Sequence, residues 1–299
     1  MRIGYPCINR SIGCSANKTF RLASYSDGRL LETVKANIAC LRKILAWNRD
    51  HGIRFFRITS DLVPFASHPV CTFAWQEHVA DELAATGEFI RKSGMRISMH
   101  PDQFIILNAP DPGIVKRSIA EIRYHAEVLD LMGLSADAKI QLHVGGVYGN
   151  KEAAIDRFVR VYGSLYPAIR RRLVVENDDS RFTAADCLAI HDRTKIPVLF
   201  DVFHHACLNR GEAMQSLLPA IEASWTHADG PAMIDYSSQN PGKRPGRHAD
   251  RIDRADFEQF LACTQPHDMD IMLEIKDKEK SALVAIEAAR SDPRFIGGR

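Results

Sequence analysis

The sequence predicts an α/β fold: a single (β/α)8 TIM barrel spanning residues 1–299, with long βα loops at its C-terminal face. Three observations predict it. Eight short apolar runs alternate with eight stretches of helical period, as a parallel barrel requires. No linker or low-complexity segment interrupts them, and the Gly-rich nucleotide fingerprint of an open doubly wound sheet is missing after the first run. Six of the eight runs end on a side chain that can ligate a metal.

The predicted strands are Arg2–Tyr5, Arg54–Thr59, Arg96–His100, Lys139–His143, Leu173–Asn177, Val198–Val202, Ala232–Tyr236 and Asp270–Ile275. Most are four or five consecutive Ile, Val, Leu, Met or Phe residues, the pattern of strands buried on both faces. Between the first two, Val34, Ile38, Leu41 and Leu45 repeat at helical spacing. Ile119, Ile122, Ala126 and Leu129 do the same after the third. Further helices are predicted at 74–93, 151–170, 183–194, 211–223, 253–264 and 279–290. Gly52, Gly94 and Gly133 stand where three helices should stop.

Three connections after strand ends exceed plain turns, and loops that long in a compact domain are usually functional. Cys7–Leu31 carries Arg10, Lys18, Arg21 and Arg29 against Asp27 alone. Ser60–Phe73 contains His68, and Ser237–Asp250 holds Lys243, Arg244, Arg247 and His248 among Pro and Gly. The basic cluster Arg170–Arg172 precedes a strand, so it belongs to the opposite face and is expected to be a solvated helix end.

Composition narrows the class. An apolar fraction of 45 % gives ample core, and a net charge of +2 means that any pull on nucleic acid must be local. Seven scattered cysteines without a C-x-x-C pair read as reduced thiols of a cytoplasmic protein. No apolar stretch approaches the ~18–20 residues of a membrane helix, so no membrane association is expected.

The strand-end residues are His100, His143, Glu176, Asp201, Asp235 and Glu274, with His68, His204 and His248 following such runs nearby. A lone strand-end Asp is often only a helix cap. The barrel, however, converges these ends on one pocket, and clustered buried carboxylates cannot all stay ionised without cations between them. Mixed imidazole and carboxylate suits Mn²⁺ or Zn²⁺, with Fe²⁺ also compatible. Several such ions about 3.5–4 Å apart suit displacement at a phosphodiester.

The segments Tyr5-Pro6 with Asn9, Ser67-His68-Pro69, His100-Pro101-Asp102-Gln103-Phe104, Gln141-Leu142-His143, Val175-Glu176-Asn177-Asp178-Asp179, Asp201-Val202-Phe203-His204-His205, Asp235-Tyr236-Ser237-Ser238, Arg247-His248-Ala249-Asp250 and Glu274-Ile275-Lys276 occur in order. Together they resemble the ultraviolet damage endonuclease (UvdE/UvsE) family, related in fold to endonuclease IV, across essentially the whole chain. The resemblance implies nicking of damaged double-stranded DNA immediately 5′ to pyrimidine dimers and other lesions, leaving a 3′-hydroxyl. It implies up to three divalent ions, with manganese the first expectation. Glu176 would bridge two of them, His100 and His143 completing one site. Asp201, Asp235 and Glu274 would surround the second, and His204 and His248 would hold a third. Glu176, His204 and His68 are the catalytic candidates, His68 at the rim near the phosphate. Gln103 and Phe104 would enter the duplex, Tyr5 and Asn9 would line the lesion pocket, and Lys243, Arg244 and Arg247 would meet phosphates. A monomer is expected.

Two positions depart from the family pattern. Met233-Ile234-Asp235 stands where Lys-x-His is common, and Phe104 where a tyrosine is frequent. A sugar isomerase or epimerase of similar barrel fold, and a non-catalytic damage-binding module, are the competing expectations.

Overall fold

In the computed structural model, which describes residues 1–297, eight parallel strands close into one barrel in chain order. They are β1 (Ile3–Pro6), β2 (Phe55–Ile58), β3 (Arg96–Met99), β4 (Lys139–His143), β5 (Leu173–Glu176), β6 (Val198–Asp201), β7 (Ala232–Tyr236) and β8 (Met269–Leu273). Closure is made by β1 on β8, with Ile3 opposite Ile271. Register fixes the site: His143 lies opposite Glu176, and Asp201 opposite Asp235. The ligand candidates therefore share one level at the C-terminal mouth.

The outer ring contains α1 (Asp27–Asp50), α2 (Trp75–Lys92), α3 (Pro112–Leu131), α4 (Lys151–Ser164), α5 (Pro167–Arg170), α6 (Ala184–Thr194), α7 (Val202–Cys207), α8 (Met214–Ala223), α9 (Arg254–Thr264) and α10 (Glu279–Ala289). Their starts are specified locally. Ser26, Asp111, Asn150 and Asp253 accept first-turn backbone N–H groups, and Thr183 with Asp186 forms a capping box. Val34, Ile38, Leu41 and Leu45 of α1 are buried, the face the periodicity predicts.

Four sequence expectations are corrected. The helix predicted over 151–170 is two, because Leu165 and Tyr166 turn extended ahead of Pro167, whose ring admits only a helix start. The turn α7 directly follows β6 and was not predicted; Asp201 initiates it. Cys14 and Cys40 form a disulfide instead of standing as thiols, because the loop after β1 folds back along α1 across a separation of 26 residues that no spacing rule reveals. Arg172 is buried, not solvated. Its guanidinium pairs with Asp130 and donates to the carbonyls of Leu134 and Ser135, plugging the N-terminal face.

Charge also fills the barrel interior. Near the N-terminal end, Arg96 holds Asp270 at 3.0 Å, and Lys139 pairs with Asp229. Near the mouth, Arg57 of β2 meets Asp235 and Glu274. Each of these interior ions is paired, as its desolvation demands.

Candidate metal centre

Glu176 is the hub. It is fully buried at the end of β5, and its two oxygens face different partners. Oε2 lies 3.4 Å from His100 Nε2 and 3.9 Å from His143 Nε2, while Oε1 lies 3.3 Å from His204 Nδ1. Gln141, pointing inward from β4, donates to Oε2 at 2.7 Å and to Asp235 Oδ2 at 2.9 Å. Three groups of donors able to hold a cation overlap here: His100–His143–Glu176, Glu176–Asp201–His204 and Asp201–Asp235–Glu274.

Asp201 does two jobs. Its Oδ1 accepts the His204 N–H at 2.7 Å and so caps α7, the ordinary fate of a strand-end aspartate. Its Oδ2 is buried with no hydrogen-bond partner, 3.4 Å from His204 Nδ1. An orphaned buried carboxylate oxygen beside imidazoles is the donor chemistry a divalent cation satisfies. The residues therefore fit a metal. Asn177 fixes this arrangement: its side chain bonds the Asp201 backbone in both directions at 2.9 Å, and its carbonyl lies 3.0 Å from His204 Nδ1.

Asp235 is placed differently. Arg57 Nη2 donates to both its oxygens, at 2.9 and 2.7 Å, and Arg57 Nη1 bonds Glu274. Met233, two residues before, is buried in the core. His248 approaches from the loop after β7, with Nδ1 3.0 Å from the Glu274 carbonyl and Nε2 3.9 Å from Glu274 Oε2.

The electrostatics follow from this crowding. Burial raises Asp201 to about 7, and neighbouring Glu176 and Glu274 reinforce the shift against His204. Burial opposes ionisation of Glu176 too, but His143, His204 and His100 hold it down at about 2. Burial disfavours protonation of His204, yet Asp201 and Glu176 outweigh it and push the ring up to about 11. His100 falls to about 4, chiefly through burial. Such divergence within one pocket marks a functional site.

Above the centre open two adjoining cavities of about 810 and 610 Å³. Both are lined by Gln103, Phe104 and His248, and Arg247 lines the smaller. Phe104 is 73 % exposed, so it is not a core residue. Lys243, Arg244 and Arg247 are exposed in a loop braced by Gln239, whose amide donates to the carbonyls of Asn240 and Arg244 at 3.0 Å. Two groups of expected residues lie elsewhere. His68 is exposed, bonded through Nδ1 to its own loop at Val70, and outside the three donor groups. Tyr5 and Asn9 are buried: the Tyr5 hydroxyl donates to Asn48 at 2.6 Å and accepts from Asn9 at 2.9 Å, and neither residue lines either cavity.

Sequence reasoning missed Arg57 and the anchoring role of Asn177. An arginine in the middle of an apolar strand run, Phe55-Phe56-Arg57-Ile58, is the signal that could have found the first. For Asn177 no signal short of the geometry existed.

Fold and site together define a (β/α)8 barrel whose mouth carries a histidine–carboxylate centre suited to divalent cations. Comparison with known proteins is specific. The chain belongs to the UV-endonuclease UvdE family, whose pattern matches residues 1–291. It is 35 % identical to the UV DNA damage endonuclease of Clostridium perfringens over 301 aligned positions, covering 100 % of this chain and 73 % of the relative. It is 34 % identical to that of Bacillus thuringiensis subsp. konkukian, covering 97 % and 95 %. The crystal structure of SacUVDE superposes with a TM-score of 0.94 at 43 % identity, covering 99 % of this chain and 100 % of that one. A D-psicose 3-epimerase from Clostridium cellulolyticum H10 reaches 0.57 at 13 % identity, covering 84 % and 92 %, a likeness of fold alone.

Proposed function

We propose that this protein is a metal-dependent DNA repair endonuclease that nicks the backbone immediately 5′ to ultraviolet photoproducts and other lesions. The observation that carries the proposal is Glu176, with one oxygen toward His100 and His143 and the other toward His204, beneath a cavity rimmed by an exposed aromatic. Family membership and the relatives' names support damaged DNA as substrate.

His100, His143 and Glu176 would hold one divalent ion, and Glu176, Asp201 and His204 a second. His248 and Glu274 stand beside them for a third, and manganese is the ion we expect first. Bound there, the ions would neutralise charge on the scissile phosphate and lower the barrier to attack by water. The chain's own residues do the positioning. Asn177 holds Asp201 and His204 in fixed orientation, and Gln141 fixes Glu176. Loop cations Lys243, Arg244 and Arg247 orient the duplex through phosphates, which carry register, not sequence. Gln103 and Phe104 wedge into the base stack, a step that costs a few kcal/mol and costs less where a lesion already weakens stacking. His68 serves the rim, reaching phosphate from outside the donor groups. Tyr5 and Asn9 support the wall of the lesion pocket from behind it. We assign the activity to a cytoplasmic monomer with one catalytic domain.

Incubation of the protein and Mn²⁺ with plasmid, irradiated or not, tests the reading. Lesion-dependent conversion of supercoiled to nicked circle is expected; no nicking with any divalent metal would overturn it. The epimerase reading rests on fold likeness alone and predicts ketose epimerisation in place of nicking.

A further inference from the structure

Lys278 stands at the N-terminal boundary of α10 with φ +60° and ψ −116°, a backbone conformation suited to glycine and rarely held by an L side chain. Strain of this kind persists where the surroundings enforce it, and it clusters at functional sites. The side chain is partly buried and lines the smaller cavity together with Arg57, His100 and Glu274.

Its neighbour on the same turn makes the contrast. Lys276 is neutralised by Asp250 at 2.6 Å. Lys139 and Lys151 likewise have Asp229 and Asp186. Lys278 has no carboxylate within ion-pair distance among the described residues. Of the groups that favour its charge, Cys7 comes first and Glu274 second; burial pushes the Cys7 thiol up, away from its anionic form, and Glu274 is already engaged by Arg57. Burial pulls Lys278 down from the usual ammonium range, and Arg57 and Arg10 add repulsion. The chain thus holds a partly dehydrated cation at the edge of the metal centre, on a strained backbone, without supplying its counter-charge.

We propose that Lys278 is a phosphate-binding residue, its ammonium receiving a phosphate oxygen of the substrate in the cavity beside the metal centre. That the phosphate belongs to DNA rests on the function proposed above; that the site takes a phosphate oxyanion does not. A compact ammonium on a flexible stem serves a phosphate as a point charge, replacing the water that burial removes. The strained backbone is the cost of aiming it there.

Glycine at this position separates strain from charge. The full-length, Mn²⁺-loaded wild type is compared with Lys278→Gly and Lys278→Arg by thermal melting, calorimetric titration with inorganic phosphate, and nicking of irradiated plasmid. Lys278→Gly should melt at a higher temperature than wild type, yet bind phosphate about tenfold more weakly. It should nick about 10²-fold more slowly. The salt dependence of its binding to duplex DNA should be shallower by about 0.9 in the log–log slope. Lys278→Arg should keep most of the phosphate affinity. Unchanged phosphate affinity and nicking in Lys278→Gly would overturn the proposal. If the wild type nicks nothing while Lys278→Gly still loses phosphate affinity, the anion site stands and the nuclease reading falls.

Discussion

Arg57 and Asp235 form a two-pronged ion pair inside the barrel mouth, Nη2 reaching both carboxylate oxygens at 2.9 and 2.7 Å, with both side chains almost wholly shielded from water. The chain thus supplies a fixed cation of its own among the acids of the centre. Burial and the surrounding carboxylates drive Asp235 well above the usual range, and Arg57 is the only one of its main influences that opposes them.

Removing that cation is informative. Arg57→Met should leave Asp235 and Glu274 without their guanidinium counter-charge and cost about 3–5 kcal/mol in metal-free protein. Added Mn²⁺ should recover part of the loss, since a divalent ion can take the vacated counter-charge. Chemical denaturation with EDTA and with Mn²⁺ checks this; equal losses in both would show that no ion substitutes for the guanidinium.

Glu176→Gln should reduce lesion-dependent nicking by at least ~10³-fold, because the ligand shared by two of the three donor groups is lost. Affinity for the duplex should change little, as phosphate contacts supply most of it. Filter binding beside plasmid nicking measures the two. Cutting at the wild-type rate would remove Glu176 from the centre.

Phe104 projects into solvent, so truncating it should leave stability within about 0.5 kcal/mol of wild type. The double change Gln103→Ala with Phe104→Ala should nevertheless narrow the gap between damaged and intact duplex. Competition binding with irradiated and untreated DNA reads that gap, and an unaltered ratio would return the pair to an idle loop.

The pH profile should carry the signature of His125 on α3. Its ring is buried, with Nδ1 2.8 Å from the Glu121 carbonyl and Nε2 3.0 Å from Ser60 Oγ, and burial lowers it from 6.5 to about 4. The folded state therefore prefers the neutral ring. Its contribution is fully present above pH 6.5 and is lost as pH falls toward 4. The loss is roughly 3 kcal/mol. Denaturation midpoints across that window should fall less steeply in His125→Gln. An identical slope would mean that His125 titrates alike in both states.

Strands and most helix faces were legible because a barrel repeats one pattern eight times, and each short run of buried apolar residues carries its own signal. The donor set was legible for the same reason, since strand ends share a level once the sheet closes. What stayed hidden depends on contacts between distant segments. The Cys14–Cys40 bond, the burial of Arg172 under Asp130, and the Arg57–Asp235 pair across 178 residues leave no mark on periodicity. Tyr5 shows the limit of the other route: the family resemblance implied a place in the pocket lining, and its ring packs edge-on against Phe56 while its hydroxyl donates to Asn48 of α1.

The two-faced placement of Glu176 bears on how the protein would load its ions. With one carboxylate common to two of the three donor groups, occupancy of the first site would fix the orientation that the second requires, while two dications held so close would repel. Loading would then follow a coupled isotherm instead of two independent affinities. A preparation could contain full-length, folded chains of which only a fraction are competent. Specific activity would track the free cation concentration at purification more closely than the amount of protein.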